Sequence, residues 1–133
     1  MRIALLSVVA VLYGAISSVQ AHHSFAMFDA KKERTLTGTV QKFRYTNPHG
    51  MMDLEVTTKS GNTQVWSVEF GSVTVMRGQG LSRDTFKPGD KVTAVVNPLR
   101  NGTTGGSFVW GKTADGKCLI APQDAPKHPI DCK

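Results

Sequence analysis

Five short segments of this chain alternate apolar and polar side chains with a period of two, the pattern of half-buried β-strands. The segments are residues 35–45, 51–58, 63–70, 92–96 and 107–112. Between the third and fourth, Ser72 is a helix N-cap candidate with Val73 and Met76 behind it. Three strands, a short helix and two strands predict an all-β fold, a small five-stranded OB-like barrel. Another small barrel or an open β-sandwich are the alternatives.

The first predicted strand contains Gly38, and its alternation slips after Val40 before Phe43 resumes it. A slip of this kind indicates a bulge, and we expect a strongly bent strand that serves both halves of the barrel. Residues 97–106 are rich in glycine and are expected to form a flexible loop.

The N-terminal segment has the three parts of a secretory signal peptide. Met1 and Arg2 give a positive start, residues 3–16 are almost wholly apolar, and a polar exit ends at Ala21. The apolar run is short for a membrane span, although an uncleaved anchor is the alternative. We therefore predict a signal peptide over residues 1–21 and a single mature domain over residues 22–133. No later stretch is apolar enough to cross a bilayer.

The chain has a formal net charge of +6, carried by scattered basic residues. A basic balance often indicates nucleic acid, but an exported protein seldom meets it, so no nucleic-acid partner is expected. Attraction to anionic envelope surfaces is the milder interpretation.

Cys118 and Cys132 are the two cysteines of the sequence. In an oxidising compartment an even pair predicts a disulfide, here closing the C-terminal tail. The loop-closure model assigns such a bond about 3 kcal/mol. The alternative is a pair of thiolate ligands for a metal, with His128 as the other candidate ligand of the tail.

Several motifs together resemble a family of small exported bacterial proteins of unknown function. They are His-His-Ser-Phe at residues 22–25, Asn-Pro-His at 47–49, Trp-x-x-Glu at 66–69, Lys-Pro-Gly-Asp at 87–90 and Asn-Pro-Leu-Arg at 97–100. The resemblance implies a periplasmic location and names no activity. Val73 departs from the family pattern, in which a proline often follows the cap serine. More distantly, the chain is similar in type to periplasmic OB-barrel copper chaperones, although the ligand spacing does not align.

Cleavage after Ala21 would make His22 the first residue, and its α-amine and Nδ1 would together chelate Cu(II). His23 or His49 would add an imidazole, which suits copper, and the Met51 thioether would favour Cu(I). The loop that contains His49 is one of those with which OB barrels bind ligands. The histidines also have a plainer interpretation. His22 and His23 would simply form a polar terminus, and His49 would hydrogen-bond the backbone within a turn.

Two functions follow from these residues. The first is a periplasmic metal-binding protein for storage or delivery of copper, with ligands from His22, His23, His49 and Met51. The second is a metal-free module whose loops, around Asn47 and Arg100, dock a periplasmic partner protein or an anionic envelope ligand. No catalytic motif is recognisable, so no enzyme is expected.

Overall fold

The structure, a computed structural model, describes residues 26–120. Its elements, in chain order, are β1 Arg34–Arg44, β2 Met51–Thr57, β3 Thr63–Glu69, α1 Val73–Gly78, β4 Lys91–Pro98, β5 Gly105–Lys112 and β6 Cys118–Ile120. The predicted order of three strands, a helix and two strands is confirmed. No helix within this part of the chain combines the length and apolar character that a membrane span requires.

The strands form one sheet in the order β3-β2-β1-β4-β5-β6, and a further parallel pairing of β3 with β5 closes the first five into a barrel. This is the predicted OB-like barrel, with its helix between β3 and β4. The short β6 was not predicted. It pairs antiparallel with β5, so the tail begins with an additional strand outside the barrel.

The bend of β1 allows the barrel to close. Its first half pairs with β4, its second half pairs with β2, and the register shifts between Val40 and Lys42, as the phase slip predicted. Gly38 lies where the two pairings overlap. A Cβ at this position would run into the backbone carbonyl oxygen of Glu55 on β2. Only glycine therefore allows this close approach of the two strands.

The barrel interior is filled by the inward-facing residues of the strands and by Met76 of α1. The fully buried side chains include Leu36, Val40, Met52, Leu54, Val68, Met76 and Val96. Aromatic rings complete the core, with Phe43 in edge contact with Phe86 and Phe70 stacked on Phe108. Burial of each large apolar side chain contributes about 1.5–3 kcal/mol.

The glycine-rich loop is shorter than predicted, because both flanking strands extend into it and leave only residues 99–104 as loop. Gly105 and Gly106 belong to β5 and pair in parallel with β3. A Cβ on Gly106 would lie 2.6 Å from Val96 Cγ2. These glycines permit close strand contact, and the prediction of a flexible loop at their positions was wrong.

The predicted helix cap is confirmed. The Ser72 hydroxyl accepts a hydrogen bond from the Val75 backbone N–H at 3.4 Å. Val73 therefore begins a helical turn without the proline expected from the family pattern. The helix ends at Gly78, and Met76 is its buried residue.

Candidate functional site

One region of the barrel's outer face brings together two of the predicted site residues, Met51 and His49. Met51 at the start of β2 lies opposite Glu69 at the end of β3, and Glu69 lies opposite Ser107 of β5. Their sequence neighbours Met52 and Val68 are fully buried. Because side chains alternate along a strand, Met51, Glu69 and Ser107 face outward in one row.

His49 is held against this row by a contact with the carboxylate of Glu69. Its Nδ1 lies 2.7 Å from Oε1 of Glu69, with 31% and 19% of the two side chains exposed. The backbone supports the contact, because the Gly50 N–H donates to Gly71 O and the Phe70 N–H donates to Gly50 O. These bonds continue the β2–β3 pairing past the strand ends, which places His49 beside Glu69.

Glu69 was missed as a site residue by the sequence interpretation, which named it only within the Trp-x-x-Glu motif at residues 66–69. The available signal was its position in the alternation, since Glu69 follows the buried Val68 and ends the third strand. Its neighbour across the sheet depends on register, which the sequence does not specify.

A pocket of about 250 Å³ lies on the outer face next to Glu69. Two methionines, Met27 and Met51, line it together with the Glu69 carboxylate, and Phe28 and Leu99 add apolar wall. Met27 is 49% exposed, and among residues 26–120 the other large apolar side chains this exposed are Val65 and Val75. Met27 was not predicted as a site residue.

The leading segment, residues 26–29, is tied to the β4–β5 loop. The Arg100 N–H donates to Met27 O at 2.9 Å, and Arg100 Nε donates to Ala26 O at 3.1 Å. Phe28, which is buried, forms a β-bridge with Leu99. Arg100 therefore has an internal structural contact, and its predicted role in docking a partner stays a prediction.

Asn47 also has an internal contact. Its side-chain Oδ1 accepts a hydrogen bond from the Val73 N–H at 3.0 Å, which joins the β1–β2 loop to the first residue of α1. The bond helps to fix the loop that contains His49. Binding of a partner through Asn47 stays a prediction.

A second pocket of about 380 Å³ lies beside His49. It is lined by Pro48, His49, Val75, Gln79 and Phe108, among others. The Gln79 Oε1 atom is buried without a hydrogen-bond partner among the described residues. His49 lines this pocket, and its partner Glu69 lines the one with the two methionines.

Three predicted residues, His22, His23 and Cys132, lie outside the described residues. Cys118 opens β6 and pairs in register with Lys112, and its disulfide with Cys132 stays a prediction. Within residues 26–120, no group of three or more His, Cys, Asp and Glu side chains is placed to hold a metal ion.

The fold and this surface define a class: a small OB-like β-barrel with a histidine–carboxylate pair beside a methionine-lined pocket. A sequence model described as "Family of unknown function (DUF6152)" matches residues 9–108, more than half of the 133-residue chain. The protein belongs to this family. The family description assigns no activity.

The comparison with curated proteins finds no match. A solved structure of the mitochondrial single-stranded DNA-binding protein Rim1 from S. cerevisiae is similar to this chain with a TM-score of 0.48 and 7% sequence identity. The similarity covers 62% of this chain and 92% of that one. A likeness this weak carries no argument about this protein.

Proposed function

We propose that the protein binds copper outside the cytoplasm, for storage or delivery, with nitrogen ligands from the mature N-terminus and from His49. One observation carries the proposal. The segment that follows His22 and His23 is tied down at Ala26 and Met27, and Met27 lines the pocket that Met51 and Glu69 also line. Glu69 in turn contacts His49.

The length of the intervening chain is compatible with this site. Residue 22 precedes Ala26 by four residues, which span up to about 14 Å when extended. A sphere with the pocket's volume of about 250 Å³ has a diameter of roughly 8 Å, well within that reach. Cleavage after Ala21 would therefore leave the terminal amine within about 14 Å of Ala26, the residue whose carbonyl Arg100 bonds.

The chemistry of the donors favours copper. A terminal histidine offers its α-amine and Nδ1 as a chelate. Amine and imidazole nitrogens bind Cu(II) more strongly than they bind other divalent first-row ions. With Nδ1 of His49 at Glu69, a metal bound by His49 is bound through Nε2. A carboxylate at the second ring nitrogen is a common outer-shell partner of metal-binding histidines, and it orients the ring.

The proposal includes export to the bacterial periplasm. Its support is the signal-peptide pattern of residues 1–21, because cleavage after Ala21 would create the chelating terminus. The same oxidising compartment would allow the disulfide between Cys118 and Cys132. The likeness in type to periplasmic OB-barrel copper chaperones supports both the periplasmic location and the choice of copper.

The alternative is a metal-free module that docks a partner protein or an anionic ligand through Asn47 and Arg100. Both side chains make internal contacts, with Val73 and with Ala26. No contact of the described residues favours this function over metal binding. It becomes the preferred interpretation if the mature protein fails to bind copper.

The test begins with the intact mass of protein exported from a bacterial host, which we expect to start at His22. Cu(II) affinity is then measured by competition with a chromophoric chelator. One glycine added before His22, or the substitution His49→Ala, should weaken binding by about 100-fold or more, because changes in the outer shell alone cost about 10–100-fold. His128→Ala is the matched histidine control and should leave the affinity unchanged.

Two results would overturn the proposal. One is a mature chain that begins elsewhere than His22. The other is a Cu(II) affinity that neither the added glycine nor His49→Ala alters, compared with His128→Ala. Circular dichroism of each variant checks that the barrel remains folded.

A further inference from the structure

We infer that the methionine-lined pocket is a binding site for Cu(I), with the sulfur atoms of Met27 and Met51 as ligands. The inference deepens the proposed function and rests on it for the physiological ion. It adds a ligand, Met27, and a positioning residue, Arg100, to the nitrogen ligands described above. The two donor sets would serve two oxidation states of one metal.

The composition of the pocket carries this inference. Its lining includes Met27, Met51 and Glu69, whose thioether and carboxylate groups are common metal ligands, and Phe28 and Leu99 add apolar residues. Thioethers are soft, polarizable ligands that select Cu(I) over hard divalent ions. The negative charge of Glu69 offsets the positive charge of a monovalent cation. An apolar wall limits access of water, which also favours the ion of lower charge.

The exposure of the two methionines separates them from the others of the described region. Met52 and Met76 are fully buried in the core, where methionine commonly fills irregular space. Met27 is 49% exposed, and Met51 is partly exposed on the outer face. Core packing therefore accounts for Met52 and Met76 but not for Met27.

Arg100 holds one of these ligands in position. Its backbone N–H bonds Met27 O, and its side-chain Nε bonds Ala26 O, so a single residue fixes two consecutive carbonyl groups. The burial of Phe28, which is 5% exposed, anchors the next residue of the segment. Met27 thus belongs to a segment held against the barrel at the pocket, and less of its freedom is lost when a metal binds.

The experiment uses Ag(I), a redox-inert soft monovalent ion, and Cu(I) held by a competing chelator, on the mature full-length protein. Met27→Leu and Met51→Leu should each weaken binding of both ions by about tenfold or more, and change Cu(II) affinity by less than about twofold. The matched control is Met52→Leu, which removes a thioether from the core. Leucine conserves the volume of methionine, so all three variants should fold.

A spectroscopic readout distinguishes ligands from structural residues. In protein with ¹³C-labelled methionine methyl groups, Ag(I) should shift the signals of Met27 and Met51 and leave that of Met76 unmoved. Arg100→Gln should weaken Ag(I) binding while the Met27 signal still shifts at saturation, as expected of a positioning residue. Unchanged Ag(I) affinity in Met27→Leu, or a Met27 signal that Ag(I) does not move, overturns the inference.

The two proposals fail separately. A glycine added before His22 should abolish tight Cu(II) binding and leave Ag(I) binding intact. Loss of the Ag(I) effects with an intact Cu(II) site overturns only the thioether site. If the added glycine leaves Cu(II) affinity unchanged while the Ag(I) effects remain, only the nitrogen site is overturned.

Discussion

Nδ1 of His49 lies 2.7 Å from Oε1 of Glu69, a contact between the β1–β2 loop and the last residue of β3. The contact orients the imidazole ring, and Glu69 also lines the pocket of Met27 and Met51. Glu69 therefore belongs to two arrangements, as the partner of His49 and as the charged wall of the pocket.

Glu69→Gln should weaken Cu(II) binding by about 10–100-fold, the usual effect of removing an outer-shell carboxylate from a metal-binding histidine. Glutamine keeps the size of the side chain and removes its charge. Chelator competition measures the loss. The control is Glu55→Gln, which removes an acidic side chain from the middle of β2. Equal losses in the two variants would show a general charge effect and contradict the assigned role of Glu69.

Gly38→Ala should destabilise the barrel by about 1–3 kcal/mol, because the added methyl group meets the backbone carbonyl of Glu55 and forces β1 away from β2. The control is Gly78→Ala, where a Cβ would have no heavy atom within 4 Å. In the helix, that substitution should be neutral or stabilise by up to about 1 kcal/mol. Urea unfolding measures both. A Gly38→Ala protein as stable as the wild type would contradict the close approach.

Asp53 links stability to pH. The bidentate hydrogen bond from the Arg44 guanidinium, at 2.8 and 3.0 Å, lowers the pKa of Asp53 below its usual value. A lowered pKa in the folded state stabilises the protein above the unfolded pKa of about 3.9, and this stability is lost as the pH falls through the folded value.

Asp53→Asn should therefore lower the free energy of unfolding at pH 7 by about 1 kcal/mol, the scale of a partly exposed ion pair. The difference from the wild type should shrink below about pH 4. Chemical unfolding at several pH values measures it, with the exposed Asp84→Asn as the control. A difference that stays constant down to pH 2 would exclude the ionised carboxylate as its source.

The predicted disulfide gives a further test. Oxidised protein should show no thiol that reacts with a labelling reagent after unfolding in denaturant. The double substitution of Cys118 and Cys132 by serine should lower stability by about 3 kcal/mol, the value for a closed loop of about 15 residues. Because Cys118 begins β6, the bond would also tie the tail to that strand. Two reactive thiols in protein recovered from the periplasm would refute the pairing.

The sequence by itself determined the local elements. The period-two alternation located the five barrel strands, because each strand has one buried and one outer face. The slip after Val40 located the register shift of β1, and Ser72 marked the start of α1 through its own side chain. These features depend on residues close together in the chain.

The tertiary structure alone decided which residues meet at the candidate site. Closure of the barrel by β3 and β5 and the register of β2 with β3 bring Glu69 beside Met51. The β4–β5 loop folds back so that Arg100 bonds the carbonyl groups of residues 26 and 27. Such contacts join segments far apart in the chain, and their partners depend on register and closure. For this reason the alternation could place Glu69 on an outer face but could not identify its partners, and Met27 carried no recognisable signal before the barrel was known.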